Sequence, residues 1–339
     1  MAIRLSDIAR DLNVSAVTVS KALRDCSDIS AETKKRVLKR IKELNYRPNR
    51  AARALATGRT FAMGLVVPGL VHGFFAEIAQ GIATTIRRKA YSLSIATSEE
   101  DADLEKQEID HMLANGLDCL IIASVQWTVE SFRRIEELGI PYVLIDRRFV
   151  GLQANFVGVD DQEVGLVATG HLYDQGCRRI AHISGPEVST SIDRLEGYRR
   201  ALVQRGLPVL PELIVTSGTG DSSGIAGGFR AMRQLLERTP RPDAVFCHND
   251  TIATGAMKAI TQAGLRIPRD VAVIGCGNLQ YADLLAVSLT SIDQGATTIG
   301  DKASRLAFQL IGAKSALRPK NILIRPKLIP RASTNKAAG

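Results

Sequence analysis

Two rhythms of apolar residues divide the chain. Up to residue 46 the apolar side chains recur every three or four positions in short runs; from Phe61 onward, runs of β-branched residues alternate with longer helical spacings. In the first stretch Ile8, Ala9 and Leu12 keep one face from Leu5 to Leu12. Asn13-Val14 breaks that pattern just before Ser15, a side chain suited to cap a new helix. Val19 and Leu23, four apart, then turn back towards Ile8 and Leu12 and leave Ala16, Val17, Ser20 and Lys21 outward. A third amphipathic segment opens at Ser30, another cap, with Val37, Ile41 and Leu44 inward and Lys34, Lys35, Lys39, Arg40 and Lys42 outward. Three short helices around one small core predict a helix-turn-helix domain over 1–46. In that motif the second helix enters the major groove, so Ala16 and Val17 can offer apolar contact to a thymine methyl and Lys21 can donate to guanine.

In the remainder, 64–67, 92–97, 119–123, 142–145 and 157–159 read as strands, with helices near 75–89 and 104–114 between them. A second series follows at 180–184, 213–215, 244–247 and 271–275. Alternating strand and helix predicts two α/β lobes with doubly wound parallel sheets, whose ligand sits beyond the carboxyl ends of the strands, in the cleft between lobes. Residues just after strands are the pocket candidates: Phe74, Phe75, Ser124, Trp127, Asp146, Arg147, Asn249 and Asp250, with Arg194 near the start of a helix after Ser184-Gly185-Pro186. For each of them singly, a capping or interlobe role is the competing reading. Aromatic rings, carboxylates, amides and guanidinium groups together suit a hydroxylated ligand.

Charge sharpens the division. Residues 1–60 hold fourteen Lys or Arg against six Asp or Glu, a net +8 of the whole chain's +9, while 61–339 holds thirty against twenty-nine. A basic head on a neutral body points to double-stranded DNA as partner, the alternative being a solvated basic tail. Arg47 to Gly58 is Ala- and Arg-rich, with Pro48 and Asn49 able to start a helix, Gly58 able to stop it, and Leu55 its single large apolar side chain. It reads either as a short helix that folds only when held, or as a flexible basic linker.

Other classes find little support. No apolar run approaches the ~20 residues of a membrane span, and the N-terminus has no signal-peptide core, so the expected location is cytoplasmic. The five cysteines form no C-x-x-C pair and the five histidines show no ligand spacing. No Ser sits in G-x-S-x-G, and the glycine clusters at 218–224 and 275–277 lack the rest of a dinucleotide fingerprint. No catalytic residue, metal or cofactor is expected.

The run Val14-Ser15-Ala16-Val17-Thr18-Val19-Ser20, followed by Leu44-Asn45-Tyr46-Arg47-Pro48-Asn49 and Ala52-Arg53-Ala54-Leu55, resembles the head and hinge of the lactose-repressor/galactose-repressor (LacI-type) family of bacterial transcription regulators. The resemblance continues from Leu65-Val66-Val67-Pro68 to Arg331-Ala332-Ser333. It implies a homodimer on a palindromic operator, the head reading DNA through Ser15, Ala16, Val17, Thr18, Ser20 and Lys21. The hinge, 47–59, would lay Asn49, Arg50, Arg53 and a wedging Leu55 in the minor groove. It implies a body, 60–339, resembling periplasmic sugar-binding proteins, with lobe 1 near 60–160 and 292–321 and lobe 2 near 161–291 and 322–339. Asp146, Arg194, Asn249 and Gln294 match effector-contacting positions, and Phe74 and Phe75 the pocket rim. Two departures stand out: Gly277 occupies a place where many sugar-responsive members carry Asp, and Val188 stands where the purine-type pocket has an arginine. Gly277 has no side chain to accept from a neutral sugar's hydroxyls, and Arg147, Arg148 and Arg194 leave room for an anion, so the expected effector is sugar-like, an acid such as a sugar acid rather than a neutral hexose. The whole reads as a repressor under allosteric control, the alternatives being a sugar-binding protein with a non-functional head and, more remotely, a sugar-modifying enzyme.

Overall fold

The computed structural model describes residues 3–23, 26–46, 54, 57–71, 73–126, 129–149, 151–218, 224–313, 315 and 317–336. The chain divides into two compact units, Met1–Thr60 and Phe61–Gly339.

The first unit holds α1 (Leu5–Leu12), α2 (Ala16–Leu23) and α3 (Ala31–Glu43). Asn13 ends α1 in the left-handed region at φ 51°, which asparagine tolerates better than most residues. Ser15 and Ser30 cap the next two helices, their hydroxyls accepting from the Thr18 and Thr33 N–H groups at 3.0 and 3.2 Å. Ile8, Ala9, Val19, Ala22 and Val37 form the buried centre, with Leu12, Ile41 and Leu44 packed around it. Ala22 takes the core place expected of Leu23, because it lies three residues from Val19 on the same face. Arg40 ties α3 to α1 through Asp11 at 2.6 Å.

The second unit is built from two sheets with matching strand order. The first contains β1 (Ala62–Val67), β2 (Ser92–Thr97), β3 (Cys119–Ile122), β4 (Tyr142–Ile145), β5 (Phe156–Val159) and β11 (Asn321–Ile324), in the order β11-β5-β4-β3-β1-β2, all parallel. The second contains β6 (Ile180–Ser184), β7 (Ile214–Thr216), β8 (Ala244–Cys247), β9 (Ala272–Cys276), β10 (Thr290–Asp293) and β12 (Lys327–Ile329), in the order β12-β10-β9-β8-β6-β7. Only its last strand is antiparallel, β12 running against β10. Strands β3, β4 and β8 are buried at every position, the solid apolar run of a sheet covered on both faces.

Helices cover both sheets: α4 (Phe74–Arg87), α5 (Ala102–Ala114), α6 (Glu130–Glu137) and α11 (Ala296–Gly312) in lobe 1; α7 (Asp161–Asp174), α8 (Ser189–Gln204), α9 (Ile225–Leu236) and α10 (Asp250–Gln262) in lobe 2. Three helix pairs meet on glycine. A side chain at Gly197 or Gly165 would strike the backbone of the facing helix in the α7–α8 pair, and Gly228 and Gly255 do the same for α9–α10, as Gly81 and Gly300 do for α4–α11.

Sheet pairing moves two of the expected lobe boundaries. The first crossing follows β5, at Asp160. The expected lobe-1 segment begins at 292, but β10 pairs with β9 in lobe 2, so the second crossing falls at 294–295. Likewise β11 pairs with β5 in lobe 1, which shifts the third crossing from 322 to 325–326.

Candidate functional site

On α2, Ala16 and Val17 are exposed, Val17 to 61%, while Thr18, Ser20 and Lys21 are half-buried. The Ser15 and Thr18 hydroxyls lie 2.9 Å apart and serve the helix start. Lys21 reaches Asp28 across the turn, and both side chains are open to solvent, so the pair is weak enough to yield to a competing acceptor. This row gives an apolar patch beside one ammonium group. Asn49, Arg50, Arg53 and Leu55 lie outside the described residues.

Between the lobes is a cavity of about 470 Å³. Seven of the expected effector residues line it: Phe74, Phe75, Asp146, Arg147, Arg194, Asn249 and Gln294. The two rings meet edge to face at 5.2 Å, at the start of α4, where Gly73 takes φ 78° beside Leu279. Asp146 follows β4 with φ 60°, and burial raises its carboxyl above the ordinary value, against the pull of Arg147 and Arg194.

Ser124 does not join them. It is buried, and its hydroxyl bonds to Glu105, whose second oxygen accepts from the Val125 N–H at 2.6 Å. Its other neighbour is a second cavity of about 450 Å³ beside Phe149, Arg148 and Ile192. Asp250 is also turned away, accepting from Ser291 at 2.6 Å and from the Leu279 N–H at 2.8 Å beneath the end of β9. Gly277, at φ 131°, sits above it: an added Cβ would stand 3.4 Å from the Asp250 carboxylate. Trp127 lies outside the described residues.

The three arginines behind the sugar-acid expectation are paired with carboxylates. Arg147 forks onto Glu100 at 2.9 and 2.7 Å. Arg148 crosses to lobe 2, to Asp193 at 2.6 Å and, through its backbone N–H, to Ser189 at 3.0 Å; it does not line the larger cavity. Arg194 is only 3% exposed and donates from Nε to Asp161 at 2.8 Å, from Nη1 to the His248 carbonyl at 2.7 Å and from Nη2 to Gln294 Oε1 at 2.7 Å. Asn249 spends its carbonyl on capping α10, accepting from the Ile252 N–H at 2.8 Å, so its NH₂ is the group it can offer the cavity. Gln294 is in the same position. Burial, then the nearby Arg194, keeps the His248 imidazole well below its ordinary pKa and therefore neutral.

Sequence reading missed Asp161, Glu100 and Glu105, the residues that hold these side chains. Asp161 carried one usable signal, its place directly after the first crossing. Among the described residues no group of three or more His, Cys, Asp or Glu is placed to hold a metal ion, and no helix is long and apolar enough to cross a membrane.

Comparison with known proteins converges on one family. Residues 4–49 match the family description "Bacterial regulatory proteins, lacI family", and residues 169–334 match a periplasmic binding protein-like domain. The HTH-type transcriptional repressor PurR of Mannheimia succiniciproducens is 31% identical over 336 residues, covering 98% of this chain and 99% of its own. The structure of the transcriptional regulator CelR in complex with cellobiose is similar at a TM-score of 0.74 and 29% identity, covering 98% of this chain and 99% of CelR. The crystal structure of the Lac repressor dimer bound to operator and the anti-inducer ONPF shares the fold at a TM-score of 0.84 and 24% identity, covering 98% of this chain and 99% of that one.

Proposed function

The chain belongs to the lacI family of bacterial regulatory proteins, and from that premise we propose that it is a homodimeric transcriptional repressor whose hold on a palindromic operator is set by a neutral polyhydroxylated effector in the cleft. The observation that carries the effector class is the state of the cavity's polar groups. Its guanidinium charges are paired with Glu100 and Asp161, and Arg194 donates further to Gln294 and a carbonyl; beside Arg147 Nε, which is buried without a hydrogen-bond partner, this leaves Asp146 as acceptor and the amides of Asn249 and Gln294 as donors. Those are the partners that hydroxyl groups need, and Phe74 and Phe75 supply the apolar face a sugar ring stacks on. That CelR was solved with cellobiose supports the same class.

In this reading Ala16, Val17 and Lys21 meet base edges, Ser15, Thr18 and Ser20 settle the helix on the backbone, and 47–59 acts as the hinge with Asn49, Arg50, Arg53 and Leu55. No catalytic role is assigned, and the protein works in the cytoplasm, where its operator is.

The test has two arms. Melting of the full chain is followed with cellobiose, D-glucose, D-ribose, D-gluconate and D-glucosamine, a compound at ~100 times its Kd stabilising by about 2.7 kcal/mol. A neutral sugar should shift the melt; a shift by gluconate alone would restore the acid, and no shift at all would sink the cleft reading. Operator affinity should fall with log salt at a slope of roughly −0.9 per phosphate neutralised. A flat response would remove DNA as the partner.

A further inference from the structure

Three segments join the lobes, and one side chain links two of them. At the first crossing β5 ends at Val159, Asp160 caps α7 by accepting from the Glu163 N–H at 3.1 Å, and Asp161 follows, 6% exposed. At the second, β10 ends at Asp293 and Gln294 precedes Gly295, whose φ of 69° turns the chain into α11 of the other lobe. Arg194 stands between them. Its guanidinium is planar and rigid, so donating at once to Asp161 and Gln294 fixes the first crossing relative to the second, with the His248 carbonyl holding the third corner. The same guanidinium is a wall of the cavity.

We propose that Asp161 and Gln294 are positioning residues that make Arg194 a strut between the two crossings, so that a ligand engaging Arg194 or Gln294 acts on the hinge directly. This differs from a jaw mechanism, in which ligand contacts merely draw two walls together and the crossings bend passively. The strut rests on the geometry of the protein's own side chains; only its regulation by a sugar rests on the cleft reading above.

Ligand-free exchange of the full chain separates the two ideas. Asp161→Ala removes the carboxylate that holds Arg194 Nε. Hydrogen exchange should then rise about tenfold around Ile292 and Gln294 as well as around Val159, as expected for loss of one hydrogen bond to a charged group. Asp161→Asn keeps an oxygen in place and should return the second crossing towards wild type. Gln294→Leu is the reciprocal experiment, raising exchange near Val159. If Asp161 only packs within α7, exchange will rise in that helix alone and the strut is overturned. Should Asp161→Ala fail to fold, Asp161→Asn and Gln294→Leu, compared with wild type, carry the same decision.

The second readout uses whichever of cellobiose, glucose, ribose, gluconate and glucosamine shifts the wild-type melt. In Gln294→Leu the ratio of operator affinities with and without that compound should collapse towards one. A preserved ratio would overturn the regulatory half of the proposal. If none of the five shifts wild type, the cleft reading fails, whereas exchange still decides the strut.

Discussion

The two lobes are wired alike and act unlike one another. Each sheet places its first strand between the second and third and ends on a strand that returns late in the chain; they part company only where β11 runs parallel and β12 antiparallel. The cavity walls differ more. Lobe 1 anchors its arginine within itself, Arg147 on Glu100, and presents Asp146 and two rings to the space. Lobe 2 sends Arg194 into a closed set of bonds that extends to the crossings. Similar folds therefore build different walls: lobe 1 presents a carboxylate and two rings, whereas lobe 2 presents the Asn249 amide beside an arginine bonded to both crossings.

That contrast can be broken most forcefully at Arg194. Replacing it with Met leaves Asp161 buried without its cation, and the cost should be about 3–5 kcal/mol in chemical denaturation. Arg147→Met should cost less, because Glu100 keeps access to solvent. Equal losses would erase the distinction between the walls.

Overpacking comes next. Gly197→Ala drives a methyl into the Gln162 carbonyl and should cost about 1–3 kcal/mol while displacing α8, which carries Arg194; Gly300→Ala drives one into the Ile78 carbonyl and should cost a similar amount in lobe 1 while displacing α4, which carries Phe74 and Phe75. Chemical denaturation of both variants checks the two costs.

Acid probes the buried groups of each lobe. Burial pushes the His182 imidazole from its ordinary 6.5 down to about 4, so the unfolded chain binds the proton first and stability is lost as pH falls through that window, by up to about 1.4 kcal/mol per pH unit. Burial raises the Glu105 carboxyl in lobe 1, so its contribution runs the other way: it is present at low pH and lost as pH rises through the raised value. Asp161 and Asp250 in lobe 2, raised by burial to about 7 and about 6, run the same way as Glu105, so the His182 effect is isolated by His182→Gln, in which exchange in lobe 2 should be less sensitive to acid than in wild type. Equal acid sensitivity would contradict the His182 assignment.

The smallest effects compare two helix caps. Asn249→Ala and Asp101→Ala each remove a side-chain acceptor from a helix start, each costing about 1 kcal/mol. Only Asn249 borders the larger cavity, so only its loss should weaken effector binding.

Much of this layout was legible in the chain. Buried β-branched runs such as 119–122 and 142–145 announce themselves as strands because both faces are covered. Strands β10, β11 and β12 did not, since Thr290–Asp293 is mostly polar and the other two are short and partly exposed, and the lobe boundaries slipped with them. Position after a strand leads to Phe74, Phe75, Asp146, Arg147 and Asn249, which line the cavity, and equally to Ser124 and Asp250, which do not; Arg194 comes from a helix start and Gln294 from the family resemblance. What position cannot reveal is pairing. Arg147 finds its carboxylate 47 residues away and Arg194 finds Asp161 33 residues away, so three arginines that look like an invitation to an anion turn out to be already answered.

The glycine contacts have a mechanical consequence. Where α7 meets α8, α9 meets α10 and α4 meets α11, backbone rests on backbone, with no layer of side chains between to be squeezed or repacked. A push on one helix of such a pair is handed to its neighbour as displacement. These contacts brace each lobe at the points where its helices cross. Sequence drift that retunes ligand preference then has its freedom in the loops at the strand ends, since adding a single methyl group at any of these six glycines would shift a whole helix.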